Sequence, residues 1–387
     1  MARVLGRGMP RLPTALILGV VAAWTGPAGG CPFCGAVGES LAMRRDAAAV
    51  FAVGESAGPA TPDPDGRLCQ PFRIDQTIRG TATAGGTVRA RVDGPLEGTA
   101  LLFGTGMAAT PEWSAVAANE ALLGYVIAAP PTAAAAPERL RWFARRLEHP
   151  EPAIAADAFT EYGLAPFDAV RESADAFDPA ALAAWLDEPG IDERRRGFYG
   201  LAAGVVAARQ ADPAMRRRLL AALHAALDAP RNDFRAGFDG LLAGLLVAEG
   251  ASGLDRIADR GLFRPDASAL DQRHLLAALR FATESLTTTV PRDRIVAATA
   301  RLIHFPGVAA DAVVDLARLQ AWESVGEVAD LWTTVGRDDP LVRRAVAGYL
   351  AACPLPEARR RLDALRAADP VRLEAALESA RSPFARP

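Results

Sequence analysis

Three motifs and a set of histidines carry the residue types and spacings of working chemistry. Cys31-Pro32-Phe33-Cys34 sets two thiols three positions apart. That spacing serves thiol–disulfide exchange when a helix N-terminus stabilises the thiolate, a structural disulfide in an oxidising compartment, or half of a tetrahedral zinc site. Gly54-Glu55-Ser56-Ala57-Gly58 follows an apolar run and has the glycine spacing that lets a serine hydroxyl stand out on a sharp strand-to-helix turn. Asp63 and Asp65 put two carboxylates in one loop, a start for calcium binding. His149, His224, His274 and His304 are the histidines available as general bases.

Each group needs surroundings that complete it. A zinc site wants four ligands, yet only Cys69 lies near the Cys31/Cys34 pair and no histidine precedes His149. The simplest use of the thiols is a disulfide that ties the N-terminus to the region around Cys69. Four cysteines allow three connectivities, and Cys353 sits in a late apolar helix as a buried thiol. The Cys-Pro-x-Cys pattern resembles the redox motif of thioredoxin-like proteins, whose motif follows a strand of an α/β domain; here it would begin the mature chain. Ser56 lies in a motif that resembles the nucleophile elbow of α/β-hydrolases. The helix that an elbow requires is replaced by Pro59-Ala60-Thr61-Pro62-Asp63-Pro64, and all four histidines fall in or beside a helical region. Thr61-Pro62-Asp63-Pro64-Asp65-Gly66 reads as a turn, because Pro presets φ and Asp-Gly tolerates positive φ. Asp239, on an apolar helix, is expected to be satisfied by an arginine of a neighbouring repeat. Trp142, Trp185, Trp322 and Trp332 fall on apolar helical positions and read as core. No catalytic residue, metal ligand or cofactor is assigned. Cys31, Cys34 and Cys69 stand as the disulfide or redox candidates.

The segments that must position these groups are clear from composition. Arg3, Arg7 and Arg11 precede an apolar run from Ala15 to Trp24 and the small residues Gly26 to Gly30, the three regions of a secretory signal peptide. The run is shorter than the roughly 20 residues that span a membrane. Residues 1–30 therefore read as a signal peptide and the protein as exported, periplasmic or extracellular, with membrane anchoring only if Cys31 is lipidated. All 43 basic residues are arginine and the net charge is −3, which leaves no positive excess for a nucleic-acid backbone.

Residues 31–129 alternate short apolar runs with turn signals. Strands are expected at Ala48–Val53, Leu68–Ile78, Thr87–Val92, Leu101–Phe103 and Leu122–Ala128, after a short helix at Ser40–Arg45. The N-terminal cysteine, the helix and the series Phe72, Ile74, Ile78-Arg79-Gly80 resemble netrin-like OB-fold domains, a group that includes tissue inhibitors of metalloproteinases. That group's further cysteines are missing here, so the resemblance implies the fold and not inhibition. A Pro/Ala linker is expected at 130–137.

From 138 to 387 apolar residues recur at helical spacing, as in Leu219, Leu220, Leu223, Ala226 and Leu227. Breaks recur every 30 to 40 residues or so, and a repeat of that kind buries its apolar face only by stacking on its neighbours. The second helix of successive pairs is expected near Pro152, Ile191, Asn232, Ser268, Val308, Pro340 and Val371. Asp338-Asp339-Pro340-Leu341-Val342-Arg343-Arg344-Ala345-Val346, with Leu350, resembles the turn and second helix of a HEAT repeat, in which the arginine reaches a neighbouring repeat's acid. His149 to Ala158 is a weaker copy without the arginine, and Asp192-Glu193-Arg194-Arg195-Arg196 keeps the arginine without the proline. The whole chain resembles a class of exported bacterial proteins with a Cys-Pro-x-Cys start and trailing HEAT-like repeats. The expected fold is multidomain α and β, a small N-terminal OB-like β-barrel followed by an all-α HEAT-like superhelical array. The expected function is a non-enzymatic scaffold that takes a protein or peptide on the array. Thiol redox chemistry at Cys31/Cys34 and hydrolysis through Ser56 are the alternatives.

Overall fold

The computed structural model describes Phe33, residues 38–230 and residues 235–381. Its first helix, α1 (Leu41–Ala47), is capped by the Ser40 hydroxyl, which accepts the Met43 N–H at 3.1 Å. Six strands follow: β1 (Val50–Ser56), β2 (Thr61–Pro62), β3 (Leu68–Arg79), β4 (Thr87–Arg91), β5 (Thr99–Thr105) and β6 (Glu112–Ala117). Five of them close into a barrel in the order β1-β3-β4-β6-β5-β1, with β2 as a spur on β3. Every pairing around the ring is antiparallel except β4 with β6.

Closure requires β1 to face two partners. Its ladder with β3 slips in register between Phe51 and Ala52 and again between Val53 and Gly54, and such bulges bend and twist a strand. Gly54 is needed at the second slip, because a Cβ there would lie 2.3 Å from the Arg73 carbonyl oxygen. The barrel interior is filled by Ala52, Phe72, Ile74, Ala90, Val92, Ala100, Leu102 and Ala115. The opposite faces of β1 and β5 carry Phe51, Val53, Leu101 and Phe103, which belong to the core that runs on into the helices. Burial on both faces explains why β1 and β5 read as unbroken apolar runs while β3 alternates.

The helical part comprises α2 (Glu120–Ala128), α3 (Ala136–Ala144), α4 (Pro152–Leu164), α5 (Phe167–Glu172), α6 (Pro179–Asp187), α7 (Glu193–Arg209), α8 (Pro213–Asp228), α9 (Phe238–Glu249), α10 (Ala251–Asp259), α11 (Ala269–Ser285), α12 (Arg292–Leu302), α13 (Ala309–Arg318), α14 (Val325–Asp330), α15 (Pro340–Ala352), α16 (Pro356–Ala368) and α17 (Pro370–Arg381). The strand expected at Leu122–Ala128 is the helix α2. Asn119 caps it by accepting the Leu122 N–H at 2.8 Å, and Leu122, Tyr125 and Val126 form its buried stripe. The last barrel strand is β6 instead, whose alternation is broken by small residues.

Expected starts at Pro152, Ile191, Ser268, Val308, Pro340 and Val371 correspond to α4, α7, α11, α13, α15 and α17. Asn232 lies outside the described residues, and the helix of that pair, α9, starts later. A repeated Asp-Pro device opens α6, α8 and α15. Proline takes the first turn, where no N–H is needed, and Asp178, Asp212 and Asp339 accept the N–H groups of Ala180, Ala214 and Leu341 at 2.8, 2.9 and 2.8 Å. Arginines tie segments distant in sequence together: Arg195 to Glu148 at 2.9 Å, Arg235 to Asp271 at 3.1 Å, Arg260 to Asp228 at 2.9 Å and Arg361 to Asp330 at 3.2 Å. Arg343 differs from the expected pattern, since its guanidinium binds the Gly336 and Arg337 carbonyls of its own turn at 2.6 and 2.8 Å.

The closest packing lies between α7 and α9. A Cβ on Gly204 would stand 2.1 Å from the Gly244 carbonyl oxygen, and one on Gly244 2.0 Å from that of Gly200, so the two backbones meet directly. Further contacts run from α9 to α11, and from α13 through α15 to α17.

Candidate functional site

Of the thiols singled out by sequence, Cys31 and Cys34 lie outside the described residues. Cys69 is a free, buried thiol on β3, its Sγ facing Asp63 Oδ2 at 3.8 Å. The bridge expected between Cys69 and the N-terminal pair involves Cys31 or Cys34, which lie outside the described residues. Cys353, at the end of α15, is also free and buried.

Ser56 ends β1 and enters no helix. Its hydroxyl accepts the Gln70 Nε2–H at 2.6 Å, while the rest of that buried amide binds the Gly58 and Leu96 carbonyls and the Leu96 N–H. The glycines around Ser56 serve barrel closure: Gly54 at the bulge and Gly58 against Pro71 Cγ, where a Cβ would lie at 3.0 Å. Asp63 accepts the N–H groups of Asp65 and Arg67 at 3.0 and 2.8 Å, and the hydrogen bond from Arg67 leads the effects that hold its carboxyl below the usual range. These contacts make the loop a turn. Asp239 pairs with His274 of α11 at 3.7 Å, a histidine in place of the expected arginine. Trp142, Trp185 and Trp322 pack edgewise or tilted on Tyr125, Tyr199 and Tyr349, and Trp332 is buried. Among the described residues no three His, Cys, Asp or Glu side chains group to hold a metal ion.

A cleft of about 640 Å³ lies where α8 and α10 end and α9 and α11 begin. Arg235, Arg260 and Arg264 line it, but each already pairs with a carboxylate: Asp271, Asp228 and Asp266 in turn. Asp259 is a fourth carboxylate in the lining, so the cleft carries no excess of positive charge for an anionic ligand.

The residues that sequence reasoning missed are the acids joining barrel to helices. Asp157 and Glu161 stand one turn apart on α4, both almost fully buried. Asp157 accepts the Leu41 N–H at 2.7 Å and the Tyr125 hydroxyl at 2.8 Å, so it caps α1 from across the joint. Glu161 accepts the Ser40 hydroxyl and the Arg139 guanidinium. Burial pushes both carboxyls above their usual range, with hydrogen bonds and Arg44 or Arg139 pulling back. Nearby, Arg45 holds the Val126 and Ala129 carbonyls at 2.7 Å each, and Asp46 accepts the Thr132 N–H at 2.6 Å. The expected linker is therefore pinned. An acid at i and i+4 on a mostly apolar helix was the one available signal.

A second missed site surrounds Phe33. Its ring packs edge-to-face on Phe281 of α11, with centroids 5.2 Å apart, and Phe281 packs likewise on Phe167 of α5 at 4.9 Å. The Phe33 carbonyl oxygen lies over Gly197 of α7, 3.3 Å from where a Cβ would stand. No family model matches the chain, and no curated protein or solved structure does so either.

Proposed function

We propose that this protein is an exported, non-catalytic interaction scaffold whose helical array binds a protein or peptide. The observation that carries it is the serial packing of the helices. Helices lie in two series, α7 on α9 on α11 and α13 on α15 on α17, and arginine–carboxylate pairs bridge neighbours. Stacks built in this way present long surfaces made by repetition, the usual binding device of HEAT-like superhelices. The barrel has the strand order and single parallel contact of an OB-like fold. Through α1 and α2 it covers the first helices of the array, as a terminal cap does. The fixed joint suits a scaffold, because it presents a preorganised surface and lowers the ordering cost of binding.

The test is site-specific photo-cross-linking of the full chain, expressed with its N-terminal segment, after recovery of the exported fraction. Probes replace the exposed Val314 and Leu341 on the array and Arg91 on the barrel. Discrete adducts at the array positions and none at Arg91 are expected. Absence of array adducts, or an insulin-reductase activity abolished by Cys31→Ser, would replace the scaffold with the redox alternative.

A further inference from the structure

We infer that His224 is an acid-sensitive clasp on the contact between α8 and α10. While its ring is neutral it holds the Arg260 guanidinium against α8; once protonated it lets go, and the contact beside the cleft loosens. The inference goes beyond the scaffold reading and stands without it.

Three side chains make the clasp. Arg260, at the end of α10, reaches back to α8, where its Nη2 lies 2.7 Å from His224 Nδ1 and its Nε 2.9 Å from Asp228 Oδ1. A guanidinium has donors only, so Nδ1 accepts here and carries no proton. The ring is therefore neutral, with its hydrogen on Nε2. His224 and Asp228 stand one turn apart on α8, the spacing at which side chains of one helix pair with each other. A protonated ring meets the guanidinium as a like charge and competes with it for the same carboxylate. The tie between helices then becomes a pair within α8. Arg260, a wall residue of the cleft, is left with the Arg256 carbonyl of its own helix.

Burial leads the effects that hold the His224 pKa below the usual histidine range, and Arg260 follows. Of the other charges facing the ring, Arg256 of α10 acts the same way, whereas Glu249 of α9 and Asp228 act against it. Each of those two acids is paired with an arginine: Glu249 with Arg256 at 2.7 Å, and Asp228 with Arg260. For a base depressed in the fold, stability is complete above the unfolded value of about 6.5 and is lost as pH falls through the folded one.

The test is a proton and nitrogen NMR titration of the full chain, with the His224 ring assigned by its absence from His224→Gln. Glutamine keeps an oxygen that accepts from Arg260 and does not titrate. A midpoint below that ordinary to histidine, a neutral ring protonated on Nε2, and a midpoint that rises in Arg260→Gln are expected. Backbone amides of α10 should exchange faster in the wild type than in His224→Gln as pH falls through that midpoint, and alike in both above about pH 8. The ratio should match the depression of the midpoint, about tenfold for each pH unit. An ordinary or raised midpoint, a proton on Nδ1 of the neutral ring, or equal exchange at every pH overturns the inference. Should His224→Gln fail to fold, Arg260→Gln identifies the ring as the one whose midpoint rises. Exchange of α10 in the wild type that ignores this midpoint is then equally fatal.

Discussion

Glu161 is a carboxylate with almost no contact with water, held by one hydroxyl and one guanidinium. Burial raises its pKa in the fold, so the folded chain holds its proton to higher pH than the unfolded chain, whose glutamates titrate near about 4.3. Stability from the protonated form is fully present below that value and is lost as pH rises through the folded pKa. Urea melts at a series of pH values should show the advantage of wild type over Glu161→Gln shrinking from about pH 4 upward. A constant or growing difference would contradict the desolvated environment. Arg139→Met leaves the same carboxylate without its counter-charge, and should cost about 3–5 kcal/mol at neutral pH and less in acid. The thiols give a simpler check. Cys69 and Cys353 are enclosed, so iodoacetamide should modify neither until denaturant is added, as followed by intact mass.

Among the elements, α7 and α9 depend most on what their sequences leave out. Glycine in a helix normally costs about 1 kcal/mol relative to alanine. Gly200, Gly204, Gly240 and Gly244 are retained where the two backbones touch. Gly244→Ala should gain helix propensity yet lower stability, because the new methyl meets the Gly200 carbonyl and forces the pair apart. The net loss should be about 1–3 kcal/mol, the usual range for overpacking. Gly124→Ala on α2 is the control: nothing lies within 4 Å of the new Cβ, so the same exchange should raise stability by about 0.4–1 kcal/mol. Paired thermal melts decide it, and equal effects at the two positions would remove the case for direct backbone contact.

At the scale of the molecule, barrel and helices share one core. Phe51, Val53, Leu101 and Phe103 of the barrel continue through Leu122 and Tyr125 into Leu140, Phe143 and Tyr162. Arg45 and Asp46 pin the segment between them. Calorimetry of the full chain should accordingly show barrel and first helices melting together. Arg45→Ala, which frees the Val126 and Ala129 carbonyls, should split off an earlier barrel transition; two well-separated transitions in the wild type would mean that the shared core does not couple them.

Much of this architecture was legible in local patterns. Helix starts at Pro152 and Pro340 follow from proline and an acidic cap a few atoms away, and the strand at Leu68–Arg79 from alternation, because both depend on neighbours within a turn or a pleat. The turn at Asp63 needs only its own loop. What the tertiary structure alone decided are contacts between residues far apart along the chain. Leu122 to Ala128 has the composition of a buried strand, and it is a helix because its stripe packs on α4 and the barrel's remaining edge is taken by β6. The glycines around Ser56 read as a catalytic turn until β3 is laid across Gly54. Asp157 and Glu161 gain their roles from Leu41 and Ser40, 116 and 121 positions away. Phe33 was only the spacer between two cysteines until Phe281 of α11 met its ring. Periodicity records which face of an element is apolar; it holds no information on which distant atom that face will meet.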